Sequence, residues 1–253
     1  MEKRYDLICE TITDREIAAI TIQPFNRDPN APRVIFLHGL HGRKEHNLYD
    51  LYLLAGLGFR ASAIDLARHA ERPGSDSLAD YLEANYLGAI QSIIFDTVQD
   101  VALLLDYWKT ADLNVGIIGV SAGGLIAHAL AVSEPRITAV SAVITSPDWL
   151  NASVDLRPKA GSSMEMLISS LSPVNQAQAY APKALLMLGG EEDDVLLPEG
   201  SRLLFDRLLP IYTSLSICER LALKIYPRIG HLYTSDMREL SLAWMKKFLE
   251  PTL

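Results

Sequence analysis

Along this chain, short continuous apolar runs take turns with segments of helical apolar spacing, and this pattern predicts a sheet covered by helices. Apolar runs of five to nine residues have the composition of strands buried on both faces, and they lie at 33–37, 60–65, 115–120, 137–145, 184–188 and 221–226. Helical apolar spacing separates them at 44–57, in a long stretch ending near 109, and at 122–132, 199–209 and 235–249. Strands that alternate with helices form βαβ units. We therefore predict a mostly parallel, doubly wound α/β sheet with helices on both faces.

The N-terminal segment has a different pattern. Residues 6–12 and 16–23 partly alternate between apolar and polar and flank a polar turn. This arrangement predicts an antiparallel hairpin at a sheet edge. Together with the six apolar runs, it brings the predicted sheet to about eight strands.

Residues 146–181 interrupt the alternation after the sixth predicted strand, and we predict a small helical cap insertion there within a single domain spanning 1–253. Apolar residues at i, i+3, i+4 and i+7 form a stripe on a short helix, consisting of Met164, Leu167, Ile168 and Leu171. The stripe either anchors the cap to the sheet or, together with Trp149, lines a substrate pocket. The two interpretations are compatible, because one helix has two edges.

Composition narrows the class of protein. The chain has 253 residues, a net charge of −8 and 49% hydrophobic residues, which fits a globular α/β domain and disfavours a nucleic-acid or anionic-membrane surface. The N-terminus lacks the apolar stretch of a signal peptide, and no uninterrupted apolar run reaches the length of a membrane span. Cys9 and Cys218 lie far apart and are expected to be reduced thiols. We expect a cytoplasmic enzyme; the sequence does not indicate its oligomeric state.

The strongest chemical signal is Gly119-Val120-Ser121-Ala122-Gly123, a G-x-S-x-G turn from a predicted strand into a predicted helix. Such a sharp turn strains the serine backbone by about 1–3 kcal/mol and leaves no room for side chains at the two glycines. It holds the Ser121 hydroxyl at the carboxyl end of a strand, with a helix N-terminus behind it. A serine that only caps the helix is the alternative. The strand before the turn and the helix after it favour a nucleophile.

Other reactive side chains follow three more predicted strands. The third strand runs into the turn His38-Gly39-Leu40-His41-Gly42, the seventh into Asp193 and Asp194, and the eighth into the loop that carries His231. Ligands bind beyond the carboxyl ends of the strands in doubly wound sheets. The chain order serine, acid, histidine is the one used in the α/β-hydrolase fold.

With these motifs the chain resembles the α/β-hydrolase superfamily over nearly its whole length, and it looks most like dienelactone-hydrolase-type and short-chain esterases. The resemblance implies that Ser121 is the nucleophile and His231 the general base, with an acid after the seventh strand orienting His231. It also implies an oxyanion hole formed by the backbone N–H groups of Leu40 and Ala122. No cofactor or metal is implied.

Two spacings disagree about the acid. The distance from Gly190 favours Asp193, whereas the distance back from Pro198 favours Asp194. Because Gly190 lies at the strand exit and sets where the turn begins, we predict Asp193. The run 191–194 could also be only a solvated turn.

The remaining histidines have structural interpretations. His38 and His41 lie three residues apart in a glycine-rich turn with no obvious third ligand, so we expect His38 to bond the backbone and shape the turn. Asp65 and His69 partly match a stretch common after the fourth strand of the superfamily, and we expect them to brace loops. His128 is expected to be packed in the core. His231 could be an exposed turn residue, which is the alternative to its role as a base.

The resemblance implies a serine hydrolase that cleaves a carboxylic ester of a small to medium acyl group through an acyl-enzyme. Its expected partner is therefore a small-molecule ester, with no nucleic acid and no membrane. The same machinery serves thioesterases and peptidases, and a catalytically silent ligand-binding protein is a third hypothesis. The small cap and the absence of a further recognisable domain count against peptides. The complete set of serine, acid and histidine favours a catalyst.

Overall fold

A computed structural model describes residues 4–12, 15–25, 31–109, 114–153 and 157–249. Within these residues the strands are β1 (Tyr5–Ile12), β2 (Ile17–Pro24), β3 (Arg33–Leu37), β4 (Arg60–Ile64), β5 (Val115–Val120), β6 (Ile137–Val143), β7 (Ala184–Gly190) and β8 (Leu221–Tyr226). The helices are α1 (Leu48–Gly56), α2 (Leu78–Ala84), α3 (Tyr86–Tyr107), α4 (Ala122–Ser133), α5 (Ser163–Leu171), α6 (Glu199–Ser214) and α7 (Ser235–Leu249).

All eight strands form one sheet in the order β1-β2-β4-β3-β5-β6-β7-β8. The pairs β1–β2 and β2–β4 are antiparallel, and every other pair is parallel. The predicted hairpin at a sheet edge is therefore confirmed, although part of its turn, residues 13 and 14, lies outside the described residues. The predicted doubly wound α/β-hydrolase sheet of eight strands is confirmed as well.

Successive strand residues point to opposite faces of the sheet, and each face has its own hydrophobic core. In β5, Ile117 belongs to the core beneath α3, α4 and α6, whereas Ile118 belongs to the core beneath α1 and α7. This burial on both sides explains why the parallel strands are continuous apolar runs rather than alternating ones. Because these strands are parallel, the carboxyl ends of β3, β5, β7 and β8 all lie at one edge of the sheet.

The helix boundaries differ from the predicted ones at two places. The segment predicted as one helix over 44–57 begins with a 3₁₀ turn, Lys44–Asn47, before α1. The helix predicted over 199–209 continues past Pro210 to Ser214. Leu208 and Tyr212, four residues apart, are both fully buried, and the Tyr212 hydroxyl donates to the carbonyl oxygen of Lys183 at 2.7 Å. This packing stabilises the part of α6 that follows Pro210.

Among the described residues, α3 is long and apolar enough to cross a membrane by length and composition alone. The pattern of apolar runs had predicted no segment of that length. The apolar side chains of α3 pack into the core with α4, for example Ile93, Val101 and Leu104. Packing within the protein therefore accounts for the apolar residues on the buried side of this helix.

Candidate active site

Ser121 lies between β5 and α4 with backbone angles φ 56° and ψ −118°. A positive φ is strained for a residue with a side chain, so the surrounding chain must hold this conformation. The Ser121 N–H donates to the Val143 carbonyl oxygen at 2.9 Å, and the Ser121 carbonyl oxygen accepts from Gly124 and Leu125 at 2.8 and 3.1 Å. The hydroxyl is therefore fixed above the end of the sheet.

The two glycines of the turn allow this geometry. A Cβ on Gly119 would collide with the carbonyl oxygen of Gly123, and a Cβ on Gly123 would collide with the carbonyl oxygen of Leu37. Both obstacles are backbone atoms, which cannot move aside as a flexible side chain can. Close approach between β5, α4 and β3 is thus the reason for glycine at both positions.

Three side chains from distant parts of the chain meet here. His231 Nε2 lies 2.8 Å from Ser121 Oγ, and His231 Nδ1 lies 3.0 and 2.8 Å from the two carboxylate oxygens of Asp193. With Nδ1–H donating to the carboxylate, Nε2 is left to accept the Ser121 hydroxyl proton. The arrangement can transfer a proton from Ser121 to His231. The catalytic roles of the three residues remain predictions.

Asp193 is held by its own turn. Its side chain is buried, with the residue 3% exposed, and Oδ1 also accepts from the N–H groups of Val195 and Leu196 at 3.1 and 2.9 Å. The exit of β7 packs against the loop before His231, where a Cβ on Gly190 would collide with the Ile229 carbonyl oxygen. The two loops therefore pack closely against each other. Asp193 contacts His231, whereas Asp194 does not.

The turn after β3 lies beside Ser121 and carries Leu40. His38 shapes this turn as predicted: Nδ1 donates to the Gly39 carbonyl oxygen at 2.7 Å, and Nε2 accepts from the Leu66 N–H at 3.2 Å. Burial lowers the pKa of His38 to about 4, so the ring is neutral near neutral pH. Ala122 is the first residue of α4, where the backbone N–H has no partner within its own helix. The predicted oxyanion role of Leu40 and Ala122 remains a prediction.

An ion cluster centred on the buried pair Lys44–Asp65 anchors the far end of the same turn. Lys44, whose side chain is 4% exposed, places Nζ about 3 Å from carboxylate oxygens of Glu45, Asp65 and Glu71, at 2.9, 3.0 and 3.0 Å. Its backbone N–H also donates to Asp65 at 2.7 Å. Burial lowers the pKa of Lys44, but the hydrogen bonds to the three carboxylates outweigh burial and raise the pKa above its usual range. The predicted bracing role of Asp65 is confirmed.

A cavity of about 240 Å³ opens beside Ser121. It is bounded by the turn after β3, the first turns of α3 and α4, and the turn after Asp193. Its walls combine aliphatic and polar side chains, and the lining residues are Leu40, Tyr86, Ile90, Ser121, Ala122, Leu125, Ser153, Asp194, Val195 and Leu196. The cavity borders both predicted oxyanion donors and can hold a small group that has apolar and polar parts.

Trp149 lies outside this cavity, contrary to the pocket predicted for it. It is 3% exposed in the core, and its ring meets the Phe95 ring edge-on with centroids 6.3 Å apart. Its backbone N–H donates to Ser172 Oγ at 3.0 Å, which ties it to the end of α5. Core packing therefore explains Trp149.

The stripe on α5 lines a different cavity. Residues 146–181 lie between β6 and β7 and contain α5 and the 3₁₀ helix Pro173–Ala179. The stripe lines a groove of about 380 Å³ against α2 and α3. The groove uses Gly88, Ser92 and Phe95 of α3, whereas Tyr86 and Ile90, on the opposite face of that helix, line the cavity at Ser121. The helix α3 thus separates the stripe from Ser121.

The other histidines are accounted for by packing. His128 is fully buried, as predicted, with Nδ1 2.9 Å from the Tyr180 hydroxyl oxygen, and burial lowers its pKa to about 3. His69 Nδ1 bonds the Ala67 carbonyl oxygen at 2.9 Å within the loop after β4. Among the described residues, no group of three or more His, Cys, Asp or Glu side chains is placed to hold a metal ion.

Residues 91–252, which include Ser121, Asp193 and His231, match the Prolyl oligopeptidase family, peptidase S9. The chain belongs to this family. This is a family of serine hydrolases with the α/β-hydrolase fold, so the predicted superfamily is confirmed.

The chain is also similar to three named proteins. "Putative esterase YitV" of Bacillus subtilis (strain 168) is 32% identical over 135 residues, which are 52% of this chain and 46% of that protein. The match thus spans less than half of that relative. The TT1662 structure from Thermus thermophilus is 25% identical with a TM-score of 0.74, covering 97% of this chain and 99% of the other. The "Putative Dienelactone Hydrolase" of Klebsiella pneumoniae, 17% identical, shares the fold with a TM-score of 0.66 over 98% and 99% of the two chains.

Sequence reasoning did not find most of the cavity wall. Leu125 lies one helical turn after Ser121, and Val195 and Leu196 directly follow the acid, so proximity in sequence to the predicted triad is a signal for these three. Tyr86 and Ile90 had no such signal. Their spacing fits one helix face, but it does not say which neighbour that face meets.

Proposed function

We propose that this protein is a carboxylic-ester hydrolase that acts on small-molecule esters with small to medium acyl groups through an acyl-enzyme intermediate. The observation that carries the proposal is the chain of hydrogen bonds from Ser121 Oγ through His231 to Asp193. A serine next to a base that is itself oriented by a carboxylate is the arrangement needed for nucleophilic catalysis.

Acylation starts at Ser121. Oγ forms a bond to the carbonyl carbon of the ester while its proton moves to His231 Nε2, and the carbonyl π electrons move onto oxygen. The backbone N–H groups of Leu40 and Ala122 donate to this oxyanion. Asp193 stabilises the imidazolium through the Nδ1–H bond. When the carbonyl re-forms, the bond to the alcohol oxygen breaks, and that oxygen takes the proton from Nε2.

Deacylation repeats these steps with water. His231 Nε2 takes a proton from a water molecule whose oxygen bonds the acyl carbon, and the second oxyanion occupies the same hole. Collapse breaks the bond to Ser121 Oγ, which regains a proton from Nε2. The products are an alcohol, a carboxylic acid and the free enzyme.

The cavity supports the acyl-size part of the proposal. Its volume of about 240 Å³ is smaller than the roughly 300–1,000 Å³ of pockets that enclose drug-sized ligands. Leu125 and Leu196 supply apolar surface close to Ser121. A short hydrocarbon chain matches this space better than a long one.

Peptide hydrolysis is the second candidate, and membership of the prolyl oligopeptidase family favours it. The chemistry is the same, except that His231 gives its proton to a leaving amine. The esterase name of the Bacillus subtilis relative is the reason to place esters first. A panel of p-nitrophenyl esters, acyl-CoA thioesters and aminoacyl amides compares the three substrate classes on the same enzyme.

Ser121→Ala tests the proposal. We expect the variant to lose ester hydrolysis by several orders of magnitude, since loss of a triad serine in subtilisin costs about 10⁶ in kcat, a magnitude taken from that enzyme. It should also lose labelling by a fluorophosphonate, while keeping the wild-type circular dichroism spectrum. Ser133→Ala is the matched control, because Ser133 ends the same helix and bonds the Ala129 carbonyl oxygen. A Ser121→Ala enzyme that keeps more than about a tenth of the wild-type rate contradicts the nucleophile assignment.

A further inference from the structure

Asp194, the neighbour of the acid that contacts His231, lies in the wall of the cavity beside Ser121. Its side chain is exposed, and among the described residues no hydrogen bond or ion pair engages it. Asp193, by contrast, is buried and occupied by His231 and two backbone N–H groups. The two adjacent carboxylates therefore face different surroundings.

Asp194 is the one charged side chain among the described residues that line the cavity. Of the described residues that line it, five are large aliphatic side chains, and the polar members besides Asp194 are the neutral Tyr86, Ser121 and Ser153. None of the described lining residues carries a positive charge to neutralise the carboxylate. Because Asp194 is exposed, its attraction for a ligand cation has the modest strength of a partly exposed ion pair.

The positions of the predicted oxyanion donors and of His231 assign the cavity to the acyl part of a substrate. Both residues whose N–H groups would hold the oxyanion, Leu40 and Ala122, line it, so the carbonyl group reaches its edge. His231, which must protonate the leaving group, is not among the described residues that line it. The leaving group therefore departs on the His231 side, and the acyl chain extends toward Asp194.

From this placement we infer that Asp194 selects acyl groups that end in a positive charge, such as a protonated amine or a quaternary ammonium, an inference that rests on the proposed ester hydrolysis. The aliphatic walls cover the hydrocarbon portion, and the carboxylate attracts the cation. The same carboxylate repels acyl groups that carry a carboxylate or a phosphate. The net charge of the chain, −8, acts in the same direction over a longer range.

A pair of isosteric esters measures this selectivity. The cationic ester is the p-nitrophenyl ester of a trimethylammonio-pentanoic acid, and the neutral one replaces the trimethylammonium group by tert-butyl. We expect wild-type kcat/KM to favour the cationic ester. Asp194→Asn should lower the cationic-to-neutral ratio by about threefold or more, in the range of a partly exposed ion pair. Asp194→Lys should lower it by about tenfold, because the interaction then changes by two charges.

Glu192→Gln is the matched control. Glu192 is an exposed carboxylate in the same turn that does not line the cavity. The variant removes one negative charge from the same region and should leave the ratio at the wild-type value. Raising the salt concentration to about 1 M should shrink the wild-type preference, since the Debye length then falls to about 3 Å. A ratio that Asp194→Asn leaves unchanged, or that Glu192→Gln lowers equally, overturns the inference.

Binding of pentyltrimethylammonium, followed by NMR titration, tests Asp194 without turnover. The inference requires a dissociation constant about threefold or more higher in Asp194→Asn than in wild type and in Glu192→Gln. Equal dissociation constants in the three proteins overturn it. If the enzyme hydrolyses neither ester while the binding difference holds, ester hydrolysis fails and the cation site stands. If both esters are hydrolysed at rates that do not depend on charge, ester hydrolysis stands and the selectivity assigned to Asp194 fails.

Discussion

Ser121 combines a strained backbone with a hydroxyl that is hydrogen-bonded to His231. Backbone strain of this kind costs about 1–3 kcal/mol and persists only where neighbouring structure over-determines it. The glycines at 119 and 123 allow β3, β5 and α4 to approach closely enough to do so. At the scale of single residues, the site is therefore a serine held in place by backbone packing, with His231 and Asp193 supplied by two separate loops.

Asp193→Asn tests the orienting role at this scale. In the variant the amide oxygen stays with the N–H groups of Val195 and Leu196, which leaves the amide NH₂ facing His231 Nδ1. The NH₂ donates to Nδ1, so the ring is held in the tautomer that carries its proton on Nε2 and cannot accept from Ser121. We expect kcat on a neutral p-nitrophenyl ester to fall steeply, toward the roughly 10⁴-fold loss known for this change in a serine protease.

Asp194→Asn should lose less than about tenfold on the same ester, since its carboxylate has no contact with His231. The two variants are compared by steady-state kinetics, with Glu192→Gln as the control for a charge lost from the turn. A steep loss of activity in Asp194→Asn instead would mean that Asp194, not Asp193, is the triad acid. Near-wild-type activity in both variants places the acid elsewhere.

At the scale of elements, the turn after β3 is fastened to the end of β4. His38 accepts from the Leu66 N–H at one end of the turn, and Lys44 binds Asp65 through both its backbone and its side chain at the other. Leu40 lies between these two attachments. The turn that carries the Leu40 N–H is therefore attached to the end of β4 on both sides, through His38 and through the buried pair Lys44–Asp65.

Lys44→Met tests this attachment. Removing the ammonium leaves the fully buried Asp65 without its cation, and breaking a buried ion pair costs about 3–5 kcal/mol. We expect the free energy of unfolding in urea to fall by that amount. Arg43→Met is the matched control, since the neighbouring Arg43 is 48% exposed and, within the described part of the chain, forms an ion pair only with Glu45. Equal effects of the two substitutions contradict a special role for the buried pair Lys44–Asp65.

The strands could be predicted from the sequence, but their order in the sheet and the contacts between elements could not. The strands and the residues at their ends were predictable, because burial on both faces leaves continuous apolar runs and glycine marks the sharp exits. The position of β4 between β2 and β3 was not, since apolar patterns carry no information about pairing partners. Likewise, the burial of Lys44 depends on Asp65, 21 residues away, and the stripe on α5 faces a side of α3 that its spacing could not reveal.

At the scale of the whole molecule, buried histidines make the fold sensitive to acid. Burial lowers the pKa of His38 to about 4 and that of His128 to about 3, from an ordinary value of 6.5. Between these values and 6.5 the unfolded chain binds protons that the folded chain does not. The stabilising contribution is thus fully present above pH 6.5 and is lost as pH falls toward the folded-state pKa values.

His128→Gln isolates one of these histidines, because His128 lies in the core with Tyr180 and contacts none of the site residues. Within the window of pH 5 to 6, each buried neutral histidine contributes a slope of up to about 1.4 kcal/mol per pH unit to the free energy of unfolding. We expect urea titrations across that window to give a slope smaller by about this amount in His128→Gln, whatever its stability at neutral pH. If His128→Gln keeps the wild-type slope, His128 is protonated in the folded protein at those pH values, and its burial does not govern the acid response.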